Sequence, residues 1–179
     1  MAIKRRVSSF VTNWLGVIIA VVIVAVSGFF GGTYLYAVGR IDSTLAWVTE
    51  SINLKVPPGL AYVGTSDNPP GQHYHVTLDI VNESGDTAEA SLTGVYVKLA
   101  EFTFPVTPDG TWDKSIPTGE TDFEGDIFVE SGTVSTLVAE GNIQIDVTGS
   151  INGTGCYKWI TRHKELTFSR STTGHFPTS

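Results

Sequence analysis

From Val7 to Gly39 no side chain carries a charge, and the bounding charges are Arg6 and Arg40. The most apolar stretch, LGVIIAVVIVAVSGFFGGTYLYAV, runs from Leu15 to Val38. As a helix it would measure about 36 Å, against a hydrocarbon core of about 30 Å. The pattern predicts one transmembrane helix over residues 14–39, preceded by a short basic segment, 1–13. Ile41, Leu45, Val48 and Ile52 then recur at spacings of four, three and four, one stripe of a helix. That stripe makes 40–51 a juxtamembrane helical stalk or linker, facing either the following domain or a neighbouring subunit. Asp42 and Ser43 offer caps for a separate short helix. Pro57-Pro58-Gly59 stops any helix that reaches it.

From about residue 52 the period becomes two. HYHVTLDIV sets Tyr74, Val76, Leu78 and Ile80 against His73, His75, Thr77 and Asp79. GVYVKLAEFTF sets Val95, Val97 and Leu99 against Tyr96 and Lys98. TDFEGDIFV turns in Phe123, Ile127 and Val129, and NIQIDVTGSI turns in Ile143, Ile145, Val147 and Ile151. A last strand near 164–170 turns in Leu166 and Phe168. One wet and one dry face per strand is the pattern of antiparallel sheet. Turn signals fall at Asp67–Gly71, Asn82–Asp86, Pro108–Gly110, Pro117–Gly119, Glu130–Gly132 and Ile151–Gly153. About seven strands in about 120 residues predict a two-sheet sandwich over 52–171. TVSTLVAE, 133–140, fits a short helix or an edge strand, and 172–179 is a polar tail expected to be flexible.

Charge gives the apolar segment a direction. Lys4, Arg5 and Arg6 precede it, and short basic flanks stay on the cytoplasmic side. All 18 acidic residues lie after Arg40, with 7 of the 11 basic ones, so that region carries 7 − 18 = −11. The expected topology is a single pass through the cell membrane, with the N-terminus cytoplasmic and the C-terminal domain extracellular or extracytoplasmic. An acidic surface of this kind repels anionic lipid heads as a whole and excludes nucleic acid as a partner. The same segment has the charge and core of a secretory signal, with Ala25-Val26-Ser27 as a cleavage site. The run continues past Ser27 through Phe29, Phe30, Tyr34 and Tyr36, which favours an uncleaved anchor. Gly28 with Gly32, and Gly16 with Ala20, are small pairs four apart that allow close helix approach. Trp14, Tyr34, Tyr36 and Trp47 are candidate interface rings.

The stretch Tyr74–Ile151 resembles the LEA-2/WHy family of desiccation-related domains. The residues that carry the resemblance are HVTLDIVNESGD, SLTGVYVKLAEFTF, DGTWDKSIPTGETDFEGDIFV and IQIDVTGSI. Asn82 stands where the family places an Asn-Pro, with Glu83 in place of the proline, and Pro117-Thr118-Gly119 stands at the second turn. The resemblance implies an immunoglobulin-like antiparallel β-sandwich, often carried on one N-terminal membrane span, with no shared catalytic residues.

The chain offers little chemistry of its own. His73 and His75 share a strand face and suit a metal if a third ligand arrives from a neighbouring strand. Asp122, Glu124 and Asp126 alternate along one face and are candidates for a cation, without a calcium-loop spacing. No nucleophile elbow, HExxH or phosphate loop occurs, and no cofactor is implied. Cys156, the only cysteine, excludes an intrachain disulfide and reads as a core or near-core small hydrophobe beside Tyr157 and Trp159. Asn82-Glu83-Ser84 and Asn152-Gly153-Thr154 are glycosylation sequons in expected turns.

These features point to a non-catalytic scaffold or accessory subunit of a membrane or cell-envelope assembly. Its partners would be membrane lipid, and other membrane subunits or copies of itself joined through the helix. Two alternatives stay open: a membrane-tethered module that binds a divalent metal, glycan or stress-related ligand, and a surface filament or layer subunit with a bundled N-terminal helix.

Overall fold

The computed structural model describes residues 2–55 and 60–178. Helix α1 runs from Ala2 to Ser51. The chain divides into two compact units, 1–40 and 41–179, so the last turns of α1 belong to the folded domain. Helix and strand periodicity therefore meet inside one unit. Pro57-Pro58-Gly59 lies outside the described residues, and α1 ends before it.

After α1 come β1 (Asn53–Leu54), β2 (Leu60–Asp67), β3 (Pro70–Asn82), β4 (Ala88–Leu99), β5 (Phe102–Pro105) and β6 (Thr107–Pro108). They are followed by β7 (Asp113–Ile116), β8 (Gly119–Glu130), α2 (Ser131–Glu140), β9 (Asn142–Tyr157) and β10 (Ile160–His175). The strands form two five-stranded sheets. In the first, β3 pairs with β8 on one side and with β1 and β2 in line on the other; β6 adds to β8. In the second, the order is β10-β9-β4-β5, with β7 also on β4. These pairings are antiparallel.

The apolar alternation places the core as expected. Tyr74, Val76, Leu78, Ile80, Phe123, Ile127 and Val129 are buried from the first sheet. Val95, Val97, Leu99, Ile143, Ile145, Val147 and Ile151 are buried from the second. Trp112 ties a loop to β8 by donating its Nε1–H to the Glu124 carbonyl at 2.6 Å. Lys114, on β7 of the second sheet, reaches the Asp122 carbonyl on β8 of the first at 2.7 Å.

Several local expectations change. GVYVKLAEFTF is a hairpin rather than one strand, because Leu99 pairs with Phe102 around Ala100 at φ 53. A left-handed alanine carries none of the usual glycine or asparagine signal. Strand β2 lies outside the expected strands, because its apolar residues run together at Leu60-Ala61-Tyr62-Val63 instead of alternating with polar ones. Residues 133–140 are helical: α2 buries Leu137, and Gly141 follows it at φ 77, a backbone geometry glycine accepts freely. The last strand is longer than 164–170, pairing with β9 from Ile160 to His175. Residues 172–175 of the expected tail are strand, and Phe176 is buried with its ring 4.7 Å from that of Tyr74.

Candidate functional site

Within the folded unit, the last turns of α1 pack on the β domain. Ile41, Leu45, Val48 and Ile52 are 1–3% exposed. The stripe faces the domain of its own chain. Full burial of such a side chain favours the packed state by about 1.5–3 kcal/mol relative to exposure. The sheet is shaped to receive it. A Cβ on Gly155 would stand 2.5 Å from Ile41 Cγ2, and one on Gly153 would stand 2.7 Å from Leu45 Cδ2. Ala88 and Ala90 lie opposite those glycines on β4, so small residues floor this part of the sheet. The expected turn at Ile151–Gly153 is therefore wrong: these glycines sit inside β9 and provide close approach.

The end of α1 is fastened to both sheets. Arg170, on β10, donates to the carbonyls of Glu50 at 2.6 Å, Thr49 at 3.0 Å and Ile52 at 2.9 Å. A cation here satisfies terminal carbonyls and opposes the negative end of the helix dipole. Ser51 Oγ accepts from the Val81 N–H on β3 at 3.1 Å and donates to the Val48 carbonyl at 3.2 Å. Sequence reading missed Arg170, because the last turn of α1 has no basic residue of its own.

Beyond the helix, Lys55 Nζ lies 2.6 Å from Glu120 Oε1 and 2.8 Å from Asp122 Oδ2. Hydrogen bonds to Asp122, then Glu120, push the Lys55 pKa up. Asp79 stands across from Asp122 in the β3–β8 register. Its Oδ1 is buried with no hydrogen-bond partner among the described residues. Burial raises its pKa; repulsion from Glu120 and Asp122 adds to this, against its own backbone hydrogen bond and Lys55.

The metal candidates share one outer face but are not gathered into a site. His75 Nδ1 lies 3.0 Å from Asp126 Oδ1, and the His73 ring lies 5.1 Å from that of Phe128, tilted by 53°. Glu124 is exposed and stands opposite Thr77, while Asp122 is engaged by Lys55. No group of three His, Cys, Asp or Glu is placed to hold a metal ion among the described residues.

Three further residues stand differently from expectation. Asn82 is fully buried, its Nδ2 donating to the Asp86 carbonyl at 2.7 Å and the Ile116 carbonyl at 3.0 Å. Its Oδ1 accepts from the Ser84 N–H and hydroxyl, so the Asn82 amide staples the β3–β4 loop from inside the domain. Asn152 is exposed, but on strand β9 rather than in a turn. Cys156 is exposed, with Sγ 3.4 Å from Thr161 Oγ1, and not a core residue.

In the first unit, Gly16, Gly28 and Gly32 have open space where a Cβ would project, and Ala20 is exposed. Val24 and Leu35 are each 71% exposed. Among the described residues, one helix is long and apolar enough to cross a bilayer.

No protein-family model matches the chain, and no curated protein matches it. Among solved structures it is similar to a Northeast Structural Genomics Consortium target, with 13% identity and TM-score 0.47, over 73% of this chain and 90% of the other. It is also similar to a protein from Archaeoglobus fulgidus, with 13% identity and TM-score 0.35, over 72% and 98%. A third is a candidate late embryogenesis abundant protein, with 13% identity and TM-score 0.32, over 86% and 89%. All three are distant resemblances.

Proposed function

We propose that this is a single-pass membrane protein whose β domain, an immunoglobulin-like sandwich of the LEA-2 kind, serves as a non-catalytic scaffold or accessory subunit. Residues 1–13 are cytoplasmic, 14–39 cross the bilayer, 40–51 form the stalk, and the domain stands outside. The observation that supports this reading is the contrast along α1. Its apolar side chains from Val17 to Leu35 are exposed, with no face of the helix covered, which a lipid surrounding satisfies and water does not. The anchor confines the domain to the membrane and raises its effective concentration towards neighbours.

With the 41–52 stripe used internally, Gly16, Ala20, Gly28 and Gly32 are the surface left for helix partners in this reading. Native complexes extracted in mild detergent test it. The full chain should sediment with membranes after alkaline washing, and Gly28→Leu with Gly32→Leu should reduce the size of its complex. Recovery of the intact chain as a soluble monomer would end the anchoring reading. An unchanged complex in the double variant would end the role given to these glycines.

A further inference from the structure

We propose that the tip of the β9–β10 hairpin, Lys158-Trp159, is a second membrane-contact site that recognises the headgroup region of an anionic bilayer. This rests on the reading of α1 as a bilayer-spanning anchor. Position is the first observation. Inside the domain, Arg170, paired with Val147 of β9, holds Thr49 and Glu50; Leu45 sits over Gly153, and Ile41 over Gly155. Moving along β9 towards its hairpin therefore follows the helical segment back towards its beginning. Ile41 and Thr44 share a crevice with Gly155, Cys156 and Tyr157. The hairpin tip lies at the end of the domain that holds Ile41, where this folded unit begins.

The second observation is shape. Tyr157 pairs with Ile160, leaving Lys158 at φ 54 and Trp159 as a two-residue turn. Trp159 is 65% exposed, and Lys158 Nζ lies 5.6 Å from the Tyr157 ring centroid. An exposed indole beside an ammonium suits the polar–apolar boundary of a bilayer better than open water.

The third is charge. The region after Arg40 carries −11, yet from Val147 to Lys164 there is no carboxylate, while Lys158, Arg162 and Lys164 are present and exposed. The acidic groups around this patch are Asp42, 3.7 Å from Arg162, Asp86, which lines the crevice, Glu89, opposite Thr154 on β4, and Glu165, which follows Lys164. A local reversal of sign, at the end of the domain that holds Ile41, matches anionic phosphate.

The test uses the full chain in liposomes, with an environment-sensitive fluorophore on its only cysteine, Cys156, which is exposed. Liposomes are phosphatidylcholine with or without phosphatidylglycerol, doped with lipid spin-labelled near the headgroup. The chain should float with the liposomes, and the probe should be quenched, more strongly with phosphatidylglycerol. Trp159→Ala with Lys158→Glu should lose most of that quenching and still float. A floating chain whose probe is unquenched, or equally quenched in the variant, overturns the contact and leaves the anchor standing. A probe shift that grows with protein-to-lipid ratio without quenching assigns the tip to a second copy and also overturns it. Failure to float overturns the anchor and this contact together.

Discussion

Residues 17–35 and 41–51 belong to one helix, α1, yet they meet different surroundings. In the first stretch the large apolar side chains are exposed, Val24 and Leu35 at 71%, and no face is distinguished from another. In the second, one stripe is buried almost completely over glycines, and the other positions are polar or partly exposed. The same backbone geometry thus serves two solvents. What differs is the arrangement of apolar residues: all round the axis for a surrounding that is apolar everywhere, or on one line for a partner that covers one face. The comparison also explains two glycine pairs. Gly28 and Gly32 have open space beside them, whereas Gly153 and Gly155 are already filled by Leu45 and Ile41.

That contrast can be broken by substitution. Leu45→Ala should cost the domain about 2–5 kcal/mol, as large-to-small changes in a packed core do. Val24→Ala, a similar loss of apolar volume, should leave domain unfolding unchanged. Chemical denaturation of the full chain in detergent, followed by near-ultraviolet circular dichroism, reads both. Equal effects would erase the distinction between the two stretches. Gly155→Val should cost about 1–3 kcal/mol by forcing Ile41 from its seat, while Gly28→Leu should not move the same transition.

Smaller changes sharpen the picture at the end of the buried stretch. Arg170→Ala should cost about 1 kcal/mol, because the carbonyls of Thr49 and Glu50 lose their donor and the helix end its cation. Earlier proteolysis near Ser51 is the accompanying sign, and an unaltered cleavage pattern would count against the cap. Asp79→Asn should stabilise the domain at neutral pH. Burial raises the carboxyl in the folded state, so the folded form holds a proton that the unfolded form has released. Its contribution is thus favourable at low pH and is lost as pH rises from about 3.8 through the folded value. Melting temperature measured against pH should fall less steeply in the variant over that window. Parallel curves for the two proteins would show that Asp79 does not titrate as argued.

Legibility followed the range of the interactions involved. Tyr74, Val76, Leu78 and Ile80 could be assigned to one face because strand alternation is a local property. The stripe Ile41–Ile52 was equally plain, but not what it faces, since that depends on Gly153 and Gly155 far along the chain. Gly153 reads as part of a turn, because a glycine that makes room for a side chain looks the same in sequence as one that turns the backbone. Ala100 and Lys158, both at positive φ, were missed as hairpin turns for the converse reason. Asn82 resembled an exposed acceptor by its three-residue pattern, and only the position of the Ile116 carbonyl shows that its amide is spent inside. Phe176 sat in a stretch too polar to suggest a core, and the ring of Tyr74 gives it one.

Sequence alone determined the uncharged span, the change from helical to strand period, the acidic balance after Arg40 and the apolar face of the long strands. Each depends on neighbours within a few residues, where covalent geometry sets the period. Tertiary structure decided that the stripe is covered by its own domain, that Arg170 caps the helix, and that Lys158 and Trp159 share an end of the domain with Ile41. These are meetings between residues distant along the chain. Side-chain volume and unsatisfied backbone groups select them only after the sheets have brought the partners together.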